Sequence, residues 1–434
     1  MKNKKERTQE KSGRIRRKEK STGSRDFERK QRKKVAVQRF KERAYELLAP
    51  AGDFPTLVTA VKAGADAVYF GLQEFNMRDA AKNFKITDLS KIKEVCKNKV
   101  KMYLTLNTII YNDELEKIEE LIKSVKGKVN AIICWDLSVI NLCKKFNIPF
   151  HISTQASVSN IEAAKFYKKL GAKRIVLARE LNLKQIKEIS KIIDIECFAH
   201  GAMCVAISGR CFMSQHSFKS SANRGKCLHS CRRSYIIKDD SGAELRLENN
   251  RVMSAKDLCT LPFIEKMKKA RVKYFKIEGR NRDPRYVDTV VRVYRKALDK
   301  KLTKKEINEG IKELEKVYNK GFSSGFYLGM PTSDDFSKVE HNASKERKHF
   351  IGKVTNYYSK IGVATIKLVS SVKVGDEIII IGKTTGLEKS RIQHIEMNNK
   401  PIQKAKKDDE IGLKLPVVRR NDEVYVIKKS LSFT

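Results

Sequence analysis

Eight short apolar runs, separated mostly by segments of helical period, constrain this chain more than any other feature. They fall at residues 45–49, 67–71, 102–106, 131–134, 150–153, 174–178, 195–199 and 274–277. Between them lie stretches such as 54–63, closed by Gly64, and 113–124 and 161–170, whose apolar positions recur at helical spacing. The runs are continuous rather than alternating, which suits parallel strands covered on both faces. Eight strand–helix units in about 240 residues predict a (β/α)8 TIM-like barrel of the α/β class. An open doubly wound sheet is the runner-up, but the chain lacks the glycine-rich dinucleotide fingerprint and a P-loop.

The last interval, from about 200 to 273, is much longer than the others. An insertion there would follow strand seven and sit on the rim where barrel enzymes place their reactive groups. The catalytic unit is expected over 44–330, with a cysteine-bearing excursion at 200–260. A glycine- and charge-rich linker follows at 331–349. From 350 to 434 the pattern changes to short strands punctuated by Gly-Asp, Gly-Lys and Asn-Asp pairs, which predicts a small C-terminal β-barrel.

Residues 1–43 hold 19 Lys/Arg against 6 Asp/Glu and few apolar side chains, so a disordered basic arm is expected. The whole chain carries a formal charge of +41. Such an excess attracts polyanions, with nucleic acid first among them. No apolar run reaches the roughly 18 residues of a membrane span. The basic N-terminus is not followed by an apolar signal segment, and nine cysteines in no disulfide-scaffold spacing read as reduced thiols. A cytoplasmic protein without a membrane partner is the expectation; oligomeric state is not encoded in any feature.

Polar groups gather where the strands end: Arg78 beyond strand two, Asn107 after three, Gln155 after five, Arg179 and Glu180 after six, His200 after seven, Glu278 and Arg280 after eight. These are the candidate catalytic residues. They predict a polar pocket with several cations, fit for a small dicarboxylate or a phosphorylated ligand. Glu180 and Glu278 could form a glycosidase pair, but nearby arginines lower a carboxyl pKa rather than raise it. No nucleophile elbow is present.

Four of the nine cysteines, Cys204, Cys211, Cys227 and Cys231, crowd one stretch with gaps of six, fifteen and three residues. Thiolates in such numbers suggest a metal centre, either zinc or iron–sulfur. Only the Cys227–Cys231 gap fits a zinc knuckle, which favours [4Fe–4S]; Cys259 is a further candidate ligand. Cys96, Cys134, Cys143 and Cys197 lie in apolar patterns and read as core.

Several blocks together resemble the peptidase U32 family: Glu-Leu-Leu-Ala-Pro-Ala-Gly at 46–52, Ala-Asp-Ala-Val-Tyr-Phe-Gly at 65–71, Asn-Arg-Gly-Lys-Cys at 223–227, Cys231-Arg232, Met-Ser-Ala-Lys-Asp-Leu at 253–258 and Phe-Lys-Ile-Glu-Gly-Arg at 275–280. The resemblance spans roughly 44–430. It implies a [4Fe–4S] cluster on Cys204, Cys211, Cys227 and Cys231, with Cys259 as the alternative fourth ligand. Chain length and charge point within the family to the branch that hydroxylates tRNA. The implied activity is oxygen-independent, prephenate-dependent hydroxylation of uridine 34 at C5, giving 5-hydroxyuridine, with tRNA as partner. Arg78, Arg179 and Arg280 would clamp the dicarboxylate. The alternatives are a collagenase-like U32 peptidase and hydroxylation of a ribosomal RNA cytidine.

Overall fold

The computed structural model describes residues 43–79, 81–233, 236–245, 253–339 and 342–430. The basic arm expected at 1–43 lies almost wholly outside them.

Eight parallel strands close into a barrel: β1 (Glu46–Pro50), β2 (Ala67–Phe70), β3 (Lys101–Thr105), β4 (Ala131–Cys134), β5 (Phe150–Ile152), β6 (Arg174–Val176), β7 (Ile195–Gly201) and β8 (Tyr274–Ile277). Each pairs with the next, and β8 pairs with both β7 and β1, which leaves no free edge. Outward residues such as Leu47, Val68, Leu104 and Phe275 are buried under the surrounding helices. Helix α1 (Phe54–Ala63) shows how sharply the sequence punctuates these units. Asp53 caps it, accepting from the Thr56 N–H at 3.0 Å, Pro55 stands in its first turn, and Gly64 ends it at φ 100°.

The barrel interior is filled by charge as well as by apolar side chains. Arg174 Nη1 lies 2.8 Å from Glu46 and 3.0 Å from Glu196, whose other oxygen accepts from Lys276 at 3.0 Å. All four are buried. The Arg174 guanidinium stacks 3.3 Å over the Tyr274 ring, and the Tyr103 hydroxyl donates to Glu46 at 3.0 Å. Buried ions persist only when paired in this way. Burial pushes the Glu46 carboxyl up, but Arg174 and Lys101 outweigh it and hold it below the usual range.

After β7 the chain leaves the barrel. It runs across the C-terminal mouth, through the one-and-a-half-turn helix Met213–Phe218, and returns as the strand Asp257–Cys259, antiparallel to the end of β7. Two helices, Pro284–Asp299 and Lys304–Glu315, then complete the barrel's outer layer.

The C-terminal strands do not form the expected barrel. Eight of them make one sheet, running in space from Gly386–Arg391 to Lys400–Ile402, and among the described residues no pairing joins those edges. Its own core holds Ile351, Ile366, Leu413 and Val424. One of the two edges, Gly386–Arg391, is covered by the barrel. Lys62 of α1 donates to the Thr385 carbonyl at 2.9 Å and pairs with Glu388, and Val58 packs against Gly386. An edge strand shielded by another element does not need closure.

Candidate functional site

Strand direction places the last inward residues of β2, β3, β5 and β8, and the residues just beyond them, at one end of the barrel. The excursion lies over that end. Together they enclose a cavity of about 160 Å³. Arg78, Asn107, Gln155, Arg179, Glu278 and Arg280 all line it.

Among the described residues, Glu278 is the only carboxylate in the lining. Arg78 donates to its Oε1 from Nε at 3.2 Å and from Nη2 at 2.8 Å. Its Oε2 accepts from the Tyr69 hydroxyl at 3.5 Å. Burial pushes the Glu278 carboxyl up, but the Arg78, Arg179 and Arg280 guanidiniums outweigh that and hold it down at about 2. The carboxylate is therefore ionised at any physiological pH.

Arg280 is buried and has only neutral hydrogen-bond partners. It donates to Asn76 Oδ1 at 2.8 Å, Thr105 Oγ1 at 3.3 Å and Asn83 Oδ1 at 3.4 Å. Burial and repulsion from Arg78 bring its pKa down to about 10. The guanidinium reaches this place because residue 71 has no side chain: a Cβ there would lie 2.2 Å from Arg280 Nη1. Arg179 donates to the Ala202 carbonyl at 3.0 Å and lies 4.1 Å over the Phe198 ring, while its buried Nε has no hydrogen-bond partner.

Asn107 accepts from the Met77 N–H at 3.2 Å, and Gln155 accepts from the Ser153 hydroxyl. Gly209 of the excursion, at φ 76°, packs directly over Gln155; a Cβ would come within 2.8 Å of its Cγ.

Two sequence candidates lie elsewhere. His200 is buried between β7 and the outer layer, among Tyr286, Tyr294 and Phe322, and burial pushes its pKa down to about 3. Glu180 is exposed and outside the lining. Residues not singled out by sequence, Tyr69 and Lys276, do line the cavity. Both occupy inward positions, and Lys276 lies two residues before Glu278 on the same strand face, a period-two signal that could have found it.

Cys204, Cys211, Cys227 and Cys231 line the roof of the cavity, and Cys259 lies apart, buried beside the Tyr294 hydroxyl at 3.7 Å. Among the described residues, no group of three or more His, Cys, Asp or Glu side chains is disposed to hold a metal ion. Burial, then the neighbouring thiols of Cys204, Cys227 and Cys211, raise the Cys231 pKa, with Arg232 opposing. The donor set does not fit the [4Fe–4S] cluster expected on Cys204, Cys211, Cys227 and Cys231, and Cys259 does not complete it. That expectation is corrected, and the cluster-dependent hydroxylation that rested on it falls too. Among the described residues no helix is long and apolar enough to cross a membrane.

Comparisons with known proteins agree on the family and change the branch. An uncharacterized protease of Methanocaldococcus jannaschii is 42% identical over 404 residues, covering 89% of this chain and 99% of its own length. A collagenase of Porphyromonas gingivalis is 40% identical over 408 residues, covering 89% and 98%. A tRNA hydroxylation protein of Bacillus subtilis is 38% identical over 352 residues, covering 78% and 83%. These two relatives, named as a protease and a collagenase, match at higher identity and over more of the chain than the tRNA hydroxylation protein, which corrects the expected tRNA branch. Residues 52–337, which take in the barrel from β2 to β8 with its outer helices and polar mouth, match the family described as Peptidase family U32. This chain belongs to peptidase family U32.

Proposed function

We propose that this protein is a peptidase of the collagenase-like kind, with the barrel-mouth cavity as its active site. The observation that carries the reading is Glu278: an ionised carboxylate in the cavity lining, with one oxygen fixed by Arg78 and the other 3.5 Å from the Tyr69 hydroxyl. The names of two relatives, collagenase and protease, support the same class.

Peptide hydrolysis needs an activated water, stabilisation of the oxyanion and a proton for the leaving amine. Glu278 Oε2 takes a proton from water as the water oxygen attacks the scissile carbonyl. The carbonyl oxygen becomes an oxyanion in the field of Arg280, whose charge no carboxylate hydrogen-bonds among the described residues. The C–N bond then breaks, and Glu278 returns the proton to the amine. Arg78 is a positioning residue that keeps the carboxylate ionised and oriented.

The test is incubation of the purified protein with gelatin peptides in ¹⁸O-water, followed by mass spectrometry. New C-termini carrying ¹⁸O are expected. Peptides that remain intact over many hours at high enzyme concentration would overturn the assignment.

A further inference from the structure

The cavity holds more positive charge than its own chemistry uses. Four guanidiniums line it, from Arg78, Arg179, Arg232 and Arg280, together with the Lys276 ammonium, against one carboxylate. Arg78 is paired with Glu278, and Lys276 with Glu196. Arg179 and Arg232 form no ion pair among the described residues, and the buried Nε of Arg179 is left without any acceptor. Unpaired cations in a low-dielectric recess favour an anionic guest. The recess, at about 160 Å³, is small beside ligand pockets of roughly 300–1,000 Å³. Ile133 and Phe198 also line it, and the Arg179 guanidinium lies 4.1 Å over the Phe198 ring.

The geometry points to Arg179, assisted by Arg232, as the group that reads a carboxylate on the substrate. The enzyme would then prefer peptides that place an acidic side chain, or a free C-terminal carboxylate, beside the scissile bond. This specificity rests on the peptidase reading for its context. Its binding arm, however, is measured without turnover. Planar guanidinium matches carboxylate in a two-point bond that an amide cannot reproduce.

The experiment is calorimetric binding of four short peptides to the full chain: glutamate or glutamine at the internal position, each as free acid or C-terminal amide. Binding of at least one acid form about 10- to 100-fold tighter than its neutral twin is expected. The internal and terminal arms show which carboxylate is read. In Arg179→Met the acid-to-neutral ratio should fall toward one, and Arg179→Lys should keep part of it. Equal affinities in the wild type, or an unchanged ratio in Arg179→Met, would overturn the inference. If the acid preference is found but no peptide is ever cleaved, the peptidase reading fails alone.

Discussion

The Arg78–Glu278 pair lends itself to a stability experiment whose pH dependence is set by the site. The carboxyl is held at about 2 instead of its usual 4.5, and that difference corresponds to about 3 kcal/mol at pH 7. Because the folded pKa is the lower one, the contribution is complete above pH 4.5 and is lost as pH falls through 2. At pH 3 about 1 kcal/mol should remain. Arg78→Met removes the nearest cation, so burial takes over and the carboxyl rises. Arg179 and Arg280 share the effect and Arg78 is 36% exposed, so about 3 kcal/mol is an upper figure for the variant's loss at pH 7. Urea unfolding of wild type and Arg78→Met at both pH values reads it directly. The deficit should shrink from up to about 3 to about 1 kcal/mol between pH 7 and pH 3. A deficit of the same size at both would show that Arg78 acts by packing and that the charge argument is wrong.

Other expectations follow from the scaffold. Glu196→Gln leaves Lys276 and part of Arg174 uncompensated inside the barrel, and should cost about 3–5 kcal/mol in urea unfolding. Asp53→Ala removes the cap of α1 and should cost about 1 kcal/mol by the same measurement. Gly71→Ala puts a methyl where Arg280 Nη1 now lies; peptide cleavage should fall at least about 10-fold while the far-ultraviolet circular dichroism stays native.

The barrel was readable because its strands are buried on both faces and therefore appear as unbroken apolar runs. The run at 67–71 became Ala67–Phe70, and that at 195–199 became Ile195–Gly201. The excursion was readable from interval length alone. The charged interior was not: Glu46, Arg174, Glu196 and Lys276 looked like ends or interruptions of apolar runs, and their partners come from four different strands. Short spacing between cysteines brought four thiols to one cavity roof, where among the described residues no group of three or more is disposed to hold a metal ion. Strand periodicity likewise gave C-terminal strands without revealing that α1 would cover an edge. His200 was misleading for a simple reason: at the end of β7 its side chain turns to the outer layer, not to the mouth.

The central claim is that Glu278 activates the water in peptide hydrolysis. The direct measurement is kcat/KM on one gelatin-derived peptide for wild type, Glu278→Gln and Glu180→Gln. A loss of about 100-fold or more is expected for Glu278→Gln, the range for removing a general base, with Glu180→Gln, exposed and outside the cavity, near wild type. Full activity in Glu278→Gln would contradict the account.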